Sequence, residues 1–169
     1  MGKITLVTGG QRSGKSTFAE RLALERSDNP IYLATATIGD NEMAERVKRH
    51  RERRGEQWIT LEEPIHLSKL RIQGHTVLVD SLTLWATNFF FYLNEDTDSA
   101  LTALKDEFDR LTEQEANFIL VTNEIGMSGI SPNAMARKFT DLLGFFNQYV
   151  AARANEVVLM VSGIPLRIK

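Results

Sequence analysis

The 169-residue sequence predicts an α/β fold in which a mainly parallel β-sheet carries helices on both faces. Short segments that are apolar throughout alternate with longer helical segments, and such segments are typical of parallel strands buried on both faces. The first of them, residues 4–8 (ITLVT), leads directly into GGQRSGKS at residues 9–16. That octapeptide matches the phosphate-binding pattern GxxxxGK[ST], which joins a strand to a helix in P-loop proteins. The sequence therefore predicts a P-loop NTPase.

Periodicity and turn residues predict the elements in chain order. Residues 17–25 (TFAERLALE) are good helix formers and continue directly from the loop. Further apolar segments predict strands at 30–35, 58–61, 76–80, 118–122 and 156–161, and an antiparallel edge strand within 163–169. Helices are predicted from about residue 40, from 64 to 70, and over 81–93, 98–116 and 133–154. The last of these carries an apolar stripe of Met135, Phe139, Leu142, Phe146 and Val150.

The composition limits the class of protein. Hydrophobic residues at 43% and charged residues at 25% fit one globular domain, expected to span residues 1–169 as a nucleotide-binding catalytic unit. No apolar stretch has the length of a signal peptide or a membrane span, and the absence of cysteine excludes disulfides. We therefore expect a cytoplasmic protein. The net charge of −2 gives no general attraction to nucleic acid, so no nucleic-acid partner is expected.

The glycine-rich octapeptide predicts the phosphate site residue by residue. Glycines let the backbone fold closely round a polyphosphate, so that successive N–H groups and the start of the next helix point at negative charge. Lys15 is expected to reach the β- and γ-phosphates, and Ser16 to bind Mg²⁺ through its hydroxyl. The predicted loop residues are Gly9, Gly10, Gln11, Arg12, Ser13, Gly14, Lys15 and Ser16.

Two acids follow predicted strands and are candidates for a role at the site. Asp80 ends VLVD, the form of the acidic strand that completes a P-loop magnesium site, although an N-cap role at the next helix is an alternative. Glu124 lies two residues beyond the predicted strand 118–122 and is a candidate contact for a substrate hydroxyl or a metal-bound water. An ordinary loop acid is the alternative for Glu124.

Residues 42–54 (EMAERVKRHRERR) form a basic segment that contains a histidine. At about 100° per residue, Met43, Val47, His50 and Arg54 lie on one side of a helix, which places His50 on the inward stripe. A neutral imidazole there is able to attack phosphorus and carry a nucleotidyl group, while nearby arginines disfavour imidazolium. A packed or phosphate-contacting histidine is the alternative, and spacing alone does not decide between the two.

Six segments together resemble one known family. They are TGGQRSGKS, YLATAT, DNEMAERVKRHRERRGEQW, TLEEP, VTNEIGM and VSGIPLRIK. The resemblance is to the bifunctional adenosylcobinamide kinase and adenosylcobinamide-phosphate guanylyltransferase of cobalamin biosynthesis, and it covers nearly the whole chain. The basic helix after YLAT and the VTNEIGM loop are more specific than the P-loop, which a vast superfamily shares.

The resemblance implies a RecA-like P-loop fold, a homotrimer and two reactions. Adenosylcobinamide first receives the γ-phosphoryl group of GTP or ATP. His50 then accepts GMP from GTP as a covalent intermediate, which passes to adenosylcobinamide phosphate. The resemblance also implies nucleotide contacts, beyond the loop, at Ala34, Thr35, Ala36, Arg51, Glu52, Arg53, Arg54, Glu62 and Asp80.

Two other functions are weighed against this one. A P-loop small-molecule kinase needs the loop and Asp80 but no nucleophilic histidine. A GTP-dependent switch is disfavoured, because the DxxG at residues 141–144 lies inside a predicted helix and no NKxD occurs.

Overall fold

A computed structural model describes residues 2–36 and 55–169. The helix predicted from about residue 40, with His50, Arg51, Glu52, Arg53 and Arg54, lies outside the described residues.

Within the described ranges, seven strands form a single sheet in the order β3-β2-β4-β5-β1-β6-β7. The strands are β1 Ile4–Gly9, β2 Ile31–Ala34, β3 Ile59–Glu62, β4 Thr76–Asp80, β5 Asn117–Val121, β6 Glu156–Val161 and β7 Ile164–Arg167. Every neighbouring pair is parallel except β6 and β7, which are antiparallel at one edge. One strand, β5, separates the loop strand β1 from the acid strand β4. The predicted mainly parallel sheet with an antiparallel edge strand is therefore confirmed.

Helices cover both faces of the sheet, as the continuous apolar strands require. They are α1 Lys15–Arg26, α2 Leu82–Tyr92, α3 Thr97–Thr112 and α4 Ala134–Arg153. One buried cluster joins alternate strand residues, such as Leu6 and Val79, to α2, α3 and α4. A second, smaller cluster joins the intervening residues, such as Val7 and Leu78, to α1. The two clusters follow from the two-residue repeat of side-chain direction along each strand.

Three local predictions need correction. The segment from 64 to 70 contains only a short 3₁₀ turn, Leu67–Lys69, because the Ser68 N–H donates to the Glu107 carboxylate at 2.8 Å instead of to a helical carbonyl. Helix α3 begins at Thr97 beyond an Asp96 cap and ends at Thr112, four residues before its predicted end. Met135 is 41% exposed and Phe139 is partly buried, so the apolar stripe of α4 is fully buried only from Leu142 onward.

The parallel strands bring the described members of the predicted site to one edge of the sheet. The carboxyl ends of β1 to β5 all lie at this edge, where ligands bind in open α/β sheets. Ala34 on β2 lies opposite Glu62 on one side and Asp80 on the other. In the part of the chain that is described, no helix is long and apolar enough to cross a membrane.

Replacement of Phe146 on α4 tests the packing of the larger buried cluster. Its ring is fully buried and makes edge contacts with Trp85 and Phe108 at centroid distances of 5.8 and 6.1 Å. Phe146→Ala should lower the free energy of unfolding by about 3 to 5 kcal/mol, since it leaves a cavity between three elements. Phe145→Ala, beside it but 54% exposed, should change stability by less than about 0.5 kcal/mol. Urea denaturation measures both, and equal losses would contradict this packing.

Candidate functional site

The phosphate-binding loop lies between β1 and α1 and has the backbone geometry that its glycines permit. Gly9 has φ 147° and Gly14 has φ 93°, values that side chains disfavour. A Cβ at Gly9 would lie 2.6 Å from the Met160 carbonyl oxygen. The turn between β6 and β7 supports the loop from outside, because the Gly163 N–H donates to the Ser13 carbonyl at 2.9 Å.

Lys15 begins α1 and folds its side chain back over the loop. It is only 7% exposed, and its ammonium donates to the Gly10 carbonyl and to the Ser13 hydroxyl, the latter at 3.5 Å. Burial lowers the pKa of Lys15, and the negative charge of Asp80 opposes that shift. A polyphosphate beside this ammonium would add negative charge and favour its protonated form. Lys15 therefore lies over the loop, in contact with Gly10 and Ser13.

Asp80 ends β4, which is separated from β1 by the single strand β5. Its Oδ2 accepts a hydrogen bond from the Tyr32 hydroxyl at 3.1 Å. The cap of α2 is the neighbouring Ser81, whose hydroxyl accepts from the Leu84 N–H at 3.3 Å, so the N-cap alternative for Asp80 is wrong. The carboxylate is thus oriented at the carboxyl edge of the sheet.

Glu124 lies against the start of the phosphate-binding loop. Its Oε1 accepts from the Thr8 hydroxyl at 3.0 Å, and its N–H donates to the Gly9 carbonyl at 3.1 Å. The segment after β5 therefore continues alongside β1 as far as the loop. Glu124 is brought to the site by the pairing of these strands.

Residues 34–36 at the end of β2 and Glu62 at the end of β3 differ in the exposure of their side chains. The Thr35 side chain is fully buried, and its hydroxyl donates to the Ser81 carbonyl at 2.8 Å while accepting from the Ser81 N–H at 3.0 Å. Ala34 and Ala36 are partly exposed beside it, and Glu62 is exposed at the end of β3. Strands lie about 4.8 Å apart, so Glu62 is roughly 19 Å from β1 across four strand spacings.

Several polar residues at this edge were missed by sequence reasoning. Tyr32 and Thr8 orient the two acids, as described above. Asn88 on α2 donates to the carbonyls of Thr35 and Pro64, at 2.7 and 2.9 Å, and so holds the end of β2. In the sequence, each of these three residues shows only as a polar side chain within an apolar segment. That pattern does not reveal which group accepts its hydrogen bond.

The donors at the site suit magnesium. Mg²⁺ prefers oxygen ligands and takes only one or two from a protein when phosphates and waters supply the rest. The hydroxyl of half-buried Ser16 and the carboxylate of Asp80 are such ligands. Among the described residues, no group of three or more His, Cys, Asp or Glu side chains is close enough to hold a metal unaided.

Comparisons with known proteins agree on one family. Residues 5–168 match the model for cobinamide kinase / cobinamide phosphate guanyltransferase. A bifunctional adenosylcobalamin biosynthesis protein of Pseudomonas aeruginosa is 40% identical over 168 residues, covering 97% of this chain and 96% of that protein. The bifunctional adenosylcobalamin biosynthesis protein of Escherichia coli is 40% identical over 179 residues, with 97% and 98% coverage.

A solved structure from Pyrococcus horikoshii OT3 shares the fold alone. It superposes with a TM-score of 0.55 at 8% sequence identity, covering 99% of this chain and 86% of that one.

Gly9 tests the geometry of the loop. Gly9→Ala should lower the free energy of unfolding by at least about 2 kcal/mol, because a side chain at φ 147° is strained and meets the Met160 carbonyl. Gly10→Ala is the matched control, since a Cβ there meets no atom within 4 Å. Thermal and urea unfolding measure both variants. Equal stability of the two would show that the loop has another conformation.

Proposed function

Because this chain belongs to the cobinamide kinase / cobinamide phosphate guanyltransferase family, we propose that both activities use the phosphate-binding loop at the carboxyl edge of its sheet. The protein is an enzyme of cobalamin biosynthesis that transfers phosphorus-containing groups. The observation that supports the proposal is the convergence of the loop, buried Lys15, Asp80 and Glu124 at one edge. Residues 1–169 act as a single catalytic domain.

The first reaction phosphorylates adenosylcobinamide. The aminopropanol hydroxyl attacks the γ-phosphorus of GTP or ATP, an O–P bond forms, and the bond to the nucleoside diphosphate breaks. Loop N–H groups and the start of α1 bind the phosphate oxygens, and Lys15 neutralises charge that moves onto the leaving diphosphate. Magnesium held by Ser16 and Asp80 would polarise the same oxygens. Glu124 contacts the attacking hydroxyl or a metal-bound water, as its position beside the loop favours.

The second reaction transfers GMP. An imidazole nitrogen of His50 attacks the α-phosphorus of GTP, so that a P–N bond forms and pyrophosphate leaves. A phosphate oxygen of adenosylcobinamide phosphate then attacks the same phosphorus, which breaks the P–N bond and gives adenosylcobinamide-GDP. Arg51, Glu52, Arg53 and Arg54 contact the nucleotide beside His50, and Ala34, Thr35, Ala36 and Glu62 contact it from the sheet. The support for these roles is the family match together with the position of β2 and β3 at the carboxyl edge.

Replacing His50 tests the covalent step. His50→Ala should reduce guanylyl transfer by at least about a thousandfold and abolish acid-labile labelling of the protein by α-labelled GTP, because no other group replaces the nucleophile. Phosphorylation of adenosylcobinamide should largely survive. Mass spectrometry of products and of the labelled protein measures each step.

Lys15→Ala is the companion variant. It should slow both steps by about 10²- to 10³-fold through lost charge stabilisation at the phosphates. Full guanylyl transfer by the His50 variant would show that GMP is transferred without His50. Phosphorylation without any guanylyl transfer by the unaltered protein would leave a plain small-molecule kinase.

The protein is further proposed to assemble as a homotrimer. Ile164 and Leu166 on the edge strand β7 and Ile168 directly after it alternate along the chain, which places them on one face, and they are 54 to 68% exposed. A row of exposed apolar side chains on an edge strand favours association with another chain. A second copy of this chain is the proposed occupant.

Leu166→Glu tests this assembly. The charge should be costly in a buried interface and convert the oligomer to a 19.1 kDa monomer, as sedimentation equilibrium measures. Leu166→Met should leave the assembly intact, since it keeps the apolar contact. An unchanged mass for the glutamate variant would show that this row lies outside the interface.

A further inference from the structure

A polar side chain lies inside the buried stripe of α4. Asn147 is only 6% exposed, and its neighbours on the helix, Leu143, Phe146 and Val150, belong to the larger apolar cluster. A buried amide without partners costs about 1 to 3 kcal/mol, so its hydrogen bonds have to be made within the protein. Its partners all lie at the carboxyl end of β5.

Asn147 holds the backbone just beyond β5. Its Oδ1 accepts from the Thr122 hydroxyl at 2.7 Å, and its Nδ2 donates to the Asn123 carbonyl at 3.1 Å. Thr122 is itself fully buried. The donor and acceptor partners are opposite in kind, which defines the orientation of the amide.

Asn123 is held from its other side by the start of α2. Its N–H and its Nδ2 both donate to the Thr83 hydroxyl, each at 3.1 Å. Thr83 lies three residues after Asp80, so the contact joins the segment after β5 to the segment after β4. The backbone of Asn123 is therefore tied to two helices.

The next residue is Glu124, whose carboxylate lies against Thr8 and whose N–H pairs with Gly9. Three bonds hold Asn123, and two hold Glu124 against the loop strand. A displacement of Asn123 would carry Glu124 with it, because the two share a peptide bond.

We propose that Asn147 is a positioning residue for phosphoryl transfer: through Thr122, Asn123 and Thr83 it holds the Glu124 carboxylate beside the phosphate-binding loop. This inference rests on the role of Glu124 given under the proposed function. Asn147 acts through Glu124 and does not touch the nucleotide. Misplacement of a reacting group by about 1 Å costs roughly a hundredfold in rate, so a partial loss of this support should cost about tenfold.

A double-mutant cycle tests the proposal with the full-length enzyme, adenosylcobinamide and magnesium nucleoside triphosphate. Asn147→Leu keeps the size of the side chain and removes both bonds, and Thr83→Val removes the acceptor of Asn123 at a partly exposed position. Each should lower kcat for phosphorylation about tenfold with less than about a twofold change in KM for the nucleotide. In a Glu124→Gln background neither should lower kcat further, since they act through that carboxylate.

Gln114→Leu is the matched control. Gln114 bridges the Ser68 carbonyl and the Ile72 N–H, at 3.1 and 3.4 Å, and takes no part in the site. It should lower the free energy of unfolding while leaving kcat unchanged. If Asn147→Leu does not fold, Thr83→Val carries the same cycle.

The outcomes separate the inference from the proposed function. If Glu124→Gln lowers kcat but the Asn147 and Thr83 variants do not, the positioning role is wrong and the function stands. If those variants lower kcat equally with and without Glu124, they act on general structure, and the inference is overturned. Full kcat in Glu124→Gln alone would remove the proposed role of Glu124 and the inference with it.

Discussion

The parallel pairing of β1 with β5 and β6 determines where the phosphate-binding loop and Glu124 lie relative to each other. Val7 is in register with Val121 and with Val158. The pairing with β5 continues beyond its last strand residue, because the Thr122 and Glu124 N–H groups donate to the carbonyls of Val7 and Gly9. A shift of one residue in this register would turn the alternate side chains to the opposite face and misplace both cores. The site thus depends on the packing of the sheet beneath it.

Burial of the Lys15 ammonium is an electrostatic cost, because it lowers the pKa of that group. Hydrogen bonds from the ammonium to a loop carbonyl and a loop hydroxyl offset part of this cost. The negative charge of Asp80 opposes the fall in the pKa of Lys15. A buried ammonium interacts more strongly with phosphate than an exposed one, since water screens it less. Burial of the Lys15 ammonium therefore lowers the stability of the fold but suits the transfer of phosphoryl groups.

Asp80 and Glu124 are each oriented by a hydroxyl from a neighbouring strand. Tyr32 on β2 donates to Asp80, and Thr8 on β1 donates to Glu124. Each donor is nearly buried, at 5% and 4% exposure, while each acid is partly exposed at the edge. Such bonds hold a carboxylate in one rotamer without neutralising it, which leaves its charge available for a metal, a hydroxyl or a water.

The sequence by itself determined the fold class, the order of the strands along the chain, and the place of the glycine-rich loop between the first strand and the first helix. These depend on local pattern: continuous apolar strands, helical spacing and glycines before a lysine. Local pattern failed where a distant group intervened, as when Glu107 took the Ser68 N–H and left a 3₁₀ turn in place of a helix. Only the tertiary structure decided that Glu124 meets Thr8, that Tyr32 meets Asp80, and that Asn147 supports Asn123. Those pairs are separated by 24 to 116 residues, and side chains so far apart in sequence meet only through strand register and helix packing.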